Sequence, residues 1–161
     1  MKTTYTIAAD EKTLVAERSF TTTLEAIWSA WSEQAKLEQW WAPLPWRAVT
    51  ESFDFTEGGK WHYHMAGPEG EKHWCLTSYL LIIPQASFSA LDSFCNEIGE
   101  IDTKLPANHF EVQFDAEGDK VTVTVTTTYA NPADLQTVLT MGIKEGFNQG
   151  LDQLETLLLN N

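Results

Sequence analysis

The stretch TTTLEAIWSAWSEQAKLEQWWAP, residues 21–43, is where the chain switches from a period of two to a helical period. Thr22, followed three residues later by Glu25, reads as a capping box, and Ile27, Trp28 and Trp31 then share one helical face. A second short helix is expected over Gln34 to Trp41 and must stop before Pro43. The stretch runs on into LEQWWAPLPW (37–46), which gathers Trp40, Trp41 and Trp46 beside Pro43 and Pro45. Two roles are open for these rings: an anchor in the core, or the wall or lid of a cavity.

Extended segments flank this helical one. TTYTIA (3–8) and LVAERSF (14–20) precede it, both β-branched and aromatic. AVTESFDF (48–55), GKWHYHM (59–65), HWCLTSYLLII (73–83), SFSALDSF (87–94), HFEVQFD (109–115) and KVTVTVTTTY (120–129) follow it. Their separators are turn chemistry: EGG at 57–59, GPEG at 67–70, Pro84 and AEGD at 116–119. VTVTVT alternates most cleanly, with one face apolar and one face threonine. Segment 98–109, IGEIDTKLPANH, is less regular and carries no clear element.

Helix returns at the end. Asn131 is the expected N-cap, Pro132 suits the first helical position, and Asp134 suits the first turn. Leu135, Val138, Leu139, Ile143, Phe147, Leu151, Leu154 and Leu158 form an apolar stripe that predicts one long helix over 131–159. Gly142, Gly146 and Gly150 recur every four residues, each costing about 0.5–1 kcal/mol relative to alanine in a helix interior. Either the sheet approaches this face closely, or side-chain volume is withheld beside an internal space. The whole pattern is an α+β fold in a single domain, residues 1–161.

Composition narrows the function. Ten Lys and Arg against 23 Asp and Glu give a formal charge of −13, which disfavours nucleic acid and anionic membranes. No apolar run is long enough to span a bilayer or to act as a signal peptide, so no membrane insertion is expected. Cys75 and Cys95 are too few for a disulfide framework, which points to a reducing, cytoplasmic setting.

Four motif-bearing stretches resemble one family. Besides residues 21–43, these are GGKWHYHMAGPEGEKHW (58–74), LDSFCNEIGE (91–100) and LQTVLTMGIKEGFNQGLDQLETLL (135–158). Together they resemble the START-like, or SRPBCC, superfamily (Bet v 1-like), in the branch named for the homologue of the Hsp90 ATPase activator. That resemblance implies a helix-grip fold: a curved antiparallel sheet wrapped around a long C-terminal helix, with two short helices after the first strand. It also implies a hydrophobic ligand cavity between sheet and helix. Trp40 would then be core, with Trp41 and Trp46 near the entrance, and Trp28 and Trp31 in the core.

No catalytic motif is present: no Gly-x-Ser-x-Gly elbow, P-loop, Rossmann glycine pattern or His-Glu-x-x-His. Neither a cofactor nor a metal site is expected. Asp92, Glu97 and Glu100 make the only local group of carboxylates. If Gly67 faces Gly70 across its turn, Tyr63 falls opposite Trp74 and Trp61 opposite Leu76, with a bulky apolar face. The same pairing sets His64 opposite His73 and His62 opposite Cys75, a group of metal-ligand types expected to be an ordinary surface cluster. The expected ligand-binding residues are Trp40, Trp41, Trp46, Trp61, Tyr63, Trp74, Phe94, Phe110, Met141, Gly142 and Gly146. The leading expectation is a binding module for a small apolar ligand. A chaperone partner is the second reading, and a cyclase- or hydrolase-like enzyme the third.

Overall fold

The computed structural model describes residues 2–160; Met1 and Asn161 of the expected domain lie outside the described residues. Eight strands form one antiparallel sheet: β1 (Thr4–Ile7), β2 (Thr13–Thr21), β3 (Arg47–Phe53), β4 (Lys60–Ala66), β5 (Lys72–Ile83), β6 (Ser87–Phe94), β7 (Asn108–Glu117) and β8 (Lys120–Tyr129). Their spatial order is β1-β2-β8-β7-β6-β5-β4-β3. Helices α1 (Leu24–Ser32) and α2 (Gln34–Leu37) connect β2 to β3; α3 (Pro132–Thr140) and α4 (Ile143–Leu159) follow β8. This is the α+β helix-grip architecture, a curved sheet holding a C-terminal helix. The two short helices follow the second strand, because residues 4–7 form a separate edge strand paired with β2.

Alternation builds the core. Val121, Val123 and Val125 of β8 are buried on the inner face, while the intervening threonines point outward. The register continues that face through Phe110, Val112 and Phe114 of β7 to Phe88 and Ala90 of β6. Ile27, Ala30 and Trp31 of α1 and Leu151, Leu154 and Leu158 of α4 close over it. A smaller cluster joins Leu135 and Val138 of α3 to Leu14 and Tyr129.

Arg18, 3% exposed, projects from β2 into this apolar side. Its guanidinium pairs with Asp152 at 2.7 Å and Glu155 at 3.3 Å, tying α4 to β2. A buried cation needs such partners, because desolvation without them is strongly unfavourable.

Three sequence expectations shift here. The α1 cap is Thr23, not Thr22: its Oγ1 accepts the Ala26 N–H at 3.1 Å. Helix α2 ends at Leu37, with turns rather than helix carrying the chain through Trp40. The closing helix is two helices, because Gly142 takes φ +90°, a left-handed conformation that interrupts the helical path. An apolar stripe at helical spacing survives such a break, so it could not reveal it.

The hairpin register is also corrected. Gly67 N–H donates to Glu71 O at 2.9 Å, and Gly70 has φ +87°, so the loop holds three residues, Pro68 to Gly70. Tyr63 therefore pairs with Cys75, Trp61 with Thr77, and His64 with Trp74. One residue of slip exchanges the two faces of β5 relative to the expectation. Cys75 and Thr77 join Trp61 and Tyr63 inside. Trp74 moves to the outer face against His62 and His64, with ring centroids 5.0 and 4.5 Å away. His73 pairs with Met65 and packs on Trp46, so the four metal-ligand types do not share a face. Among the described residues, no group of three His, Cys, Asp or Glu could hold a metal ion.

The three glycines of the closing helices do three different things. Gly142 makes the break. Gly146 lies beside Pro43, where an added Cβ would sit 3.8 Å from the ring. At Gly150 a Cβ would lie 3.2 Å from Trp40 O and 3.4 Å from Trp41 O. Close approach is therefore the answer at Gly150, but to the Trp40–Trp41 backbone rather than to the sheet. Glutamines on either side secure that contact. Gln153 Nε2 donates to Trp40 O and Ala42 O at 3.1 and 2.9 Å, and Gln149 Nε2 donates to Leu44 O at 2.9 Å. Gln153 Oε1 accepts the Leu44 N–H at 2.9 Å. Carbonyls that no secondary structure could satisfy are thus paired by the helix they pack on.

No helix is long and apolar enough to cross a membrane among the described residues.

Candidate functional site

Between the sheet and α4 lies a cavity of about 100 Å³. Trp31, Trp41, Phe110 and Phe147 form aromatic walls, with Leu14, Ala16 and Val125 from the sheet. Tyr5, Ile143 and Lys144 stand at one end, where the Tyr5 hydroxyl donates to Lys144 O at 3.1 Å. Lys144 Nζ lies 5.0 Å from the Tyr5 ring centroid. Tyr5 and Lys144 also line an open polar groove of about 500 Å³ on the outside, with Glu145, Asn148 and Asp152. A second void of about 10 Å³ lies deeper, bounded by Trp61, Thr77, Tyr79 and Phe88. Trp31, Trp41 and Phe110 line both spaces.

The polar end of the cavity is Asp92, with Asn108, Thr127 and Tyr129 nearby on its lining. Asp92 lies on the inner face of β6, opposite Thr77 on β5 and Asn108 on β7. Thr77 Oγ1 donates to Asp92 Oδ1 at 3.2 Å, and the Asn108 side chain also hydrogen-bonds the carboxylate. Burial raises the Asp92 pKa to about 6, with these hydrogen bonds partly opposing it. The group is only half-buried by exposed area yet surrounded by protein, because it keeps surface on the cavity wall. No cationic side chain among the described residues forms an ion pair with it. Two buried polar atoms on cavity-lining residues lack a hydrogen-bond partner: Asn108 Oδ1 and Trp31 Nε1.

The expected site residues divide clearly. Trp41 and Phe110 line the cavity; Trp41 Nε1 donates to the Tyr63 hydroxyl at 2.8 Å. Trp61 stacks on Tyr63 at 3.8 Å and bounds the small void. Trp40, 0% exposed, is core. Phe94 lies on the inner face but packs with the core rather than on the cavity. Trp46 sits by the Gly67 turn, with a ring atom 2.9 Å from where a Gly67 Cβ would be, away from the cavity lining. Met141 is exposed and, with Gly142 and Gly146, flanks the lining residues Ile143, Lys144 and Phe147 without joining them. Trp74 is on the opposite side of the sheet. Trp28, expected in the core with Trp31, is half-buried against Phe55, Phe88 and Phe114.

Of the carboxylate group, only Asp92 faces inward. Glu97 and Glu100 are exposed on a tight loop where Cys95 bridges Ile101. That loop explains segment 98–109: its start covers the outer face, with Asn96 O 3.1 Å from His62 Nε2, and its end enters β7. Sequence reasoning missed Tyr5, Asn108 and Tyr129, which reach the cavity only through the strand order. Their one signal was position on the apolar face of an alternating strand.

The geometry defines a START-like helix-grip fold. The chain belongs to the family described as Activator of Hsp90 ATPase homolog 1-like protein, whose pattern it matches over residues 21–159. It is similar to protein Ms6760 from Mycobacterium smegmatis, at 30% identity over 98% of this chain and 97% of that chain, with a TM-score of 0.89. It is also similar to a protein from Arthrobacter aurescens, at 25% identity, 98% and 92% coverage and a TM-score of 0.91. A protein from Staphylococcus epidermidis aligns at 28% identity, 96% and 94% coverage and a TM-score of 0.85. Among curated proteins, none matches the sequence.

Proposed function

We propose that this protein is a binding module that takes a small, largely apolar molecule into the cavity between the sheet and α4. The observation that carries the reading is an aromatic-walled space of about 100 Å³ with a single buried carboxylate at its polar end. Apolar walls with few convergent polar groups are the usual make-up of a small-molecule site. Drug-sized ligands fill about 300–1,000 Å³, so the occupant here is on the scale of one ring. Both cysteines are free thiols, which supports the cytoplasmic setting.

Trp41 supplies the test, because it is a wall shared by the cavity and the deeper void. Toluene is expected to bind the parent protein saturably in a calorimetric titration, and indole poorly. Trp41→Ala joins the two spaces, so it should lose toluene affinity by about ten-fold and gain indole binding. Failure of toluene to bind the parent removes the proposal.

A chaperone-docking reading has its own support on the outer face. Leu81, Ile83 and Leu91 are 54%, 48% and 46% exposed there. Exposed apolar side chains grouped in this way mark interaction surfaces.

A further inference from the structure

We propose that the cavity selects a small primary amine, with its ammonium group at Asp92 and its hydrocarbon body against the aromatic walls. This rests on the reading of the cavity as a ligand site. Among the described residues, Asp92 and Lys144 are the only charged side chains on the lining, and they differ in place: Lys144 is at the mouth on the Tyr5 ring, Asp92 inside without an ion-pair partner. The fold has already removed much of the water from Asp92, and its hydrogen bonds come from neutral groups: the Thr77 hydroxyl, the Asn108 side chain and the Ser93 backbone. A ligand that brings positive charge therefore gains more there than a neutral one of the same shape. Asn108 Oδ1, buried and unpartnered beside it, is a second acceptor for an ammonium, which has three donors. Trp31, Trp41 and Phe110 present aromatic rings on the same wall, and such rings attract cations. The net charge of −13 adds a long-range attraction for cations.

Four single-ring probes of similar size separate the cases: benzylamine, benzyl alcohol, toluene and benzoate. Benzylamine is expected to bind about 10- to 100-fold more tightly than toluene, the worth of one charge-assisted hydrogen bond, with benzoate weakest. Asp92→Asn should abolish the preference for benzylamine while leaving toluene binding in place. A second measurement does not depend on that variant. Between about pH 8 and pH 5 benzylamine stays protonated, so its affinity should fall as Asp92 gains a proton near pH 6, while toluene affinity stays level.

The groups facing Asp92 are Tyr63 of β4, Cys75 and Tyr79 of β5, Cys95 beyond β6 and Tyr129 of β8. All are held above their usual pKa and stay neutral in this range. Benzylamine binding no tighter than toluene, or benzyl alcohol binding tightest, overturns the amine assignment and leaves the cavity reading intact. Binding by none of the four overturns both.

Discussion

Trp40→Ala is expected to destabilise the protein by about 3–5 kcal/mol, read as a lower denaturation midpoint. Trp40 is 0% exposed, and its ring centroid is 4.6 Å from Trp31 and 5.4 Å from Trp41. Truncation leaves a cavity at the meeting point of α1, the following turn and α4. It also leaves Ala30 O without the indole N–H that donates to it at 2.9 Å. An unpaired buried carbonyl adds its own penalty of about 1–3 kcal/mol where water cannot reach it. The backbone contact between Trp40 O and Gly150 would lose its support from the ring side. A loss below about 1 kcal/mol would show that the segment is not the anchor described above.

Asp92→Asn is expected to stabilise the protein by up to about 3 kcal/mol at neutral pH, although it removes a charged group. In the folded state the carboxyl keeps its proton up to about pH 6, against a usual value of 3.8. Between those values the folded state binds more protons than the unfolded one, so this group's contribution to stability falls as pH rises. The loss is complete above about pH 6 and absent below about pH 4, where both states are protonated. The difference in stability between parent and variant should therefore vanish at low pH and grow through this window. A difference independent of pH would contradict the burial described for Asp92. Retaining a residue that weakens the fold fits the trade between stability and function seen at ligand sites.

The strands were legible because alternation is a local signal. All eight extended segments are strands, with ends moved by one or two residues, and VTVTVT has its valines inside. Asn131 caps α3 as expected, its Oδ1 accepting the Asp134 N–H at 2.9 Å. Register was not legible: a turn of two or three residues across GPEG is decided by the left-handed Gly70, and that single residue reversed the side taken by Trp74. The break at Gly142 was hidden for a similar reason, since glycine spacing reports a face but not a backbone angle.

The site was read in part. Trp41 and Phe110 announce themselves as large apolar residues on the inward side. Asp92 stood out only as one of three neighbouring carboxylates, and nothing local says that it alone turns inward. Tyr5 and Asn108 meet near the cavity because β1 and β7 flank the β2–β8 pair, a pairing between distant segments that no window of sequence contains. Trp46 shows the converse: its place beside Trp40 and Trp41 in the chain is not its place in the fold.

The central claim is that the space between the sheet and α4 takes up a small apolar molecule. The direct measurement is the map of NMR chemical-shift changes as toluene is titrated into isotope-labelled protein. The account predicts saturable changes centred on the Trp31 and Trp41 indoles and on Phe110, Phe147 and Asn108, with the outer face unchanged. Changes confined to Leu81, Ile83 and Leu91, or no saturable change anywhere, would contradict it; the first of these results would favour docking through the outer face.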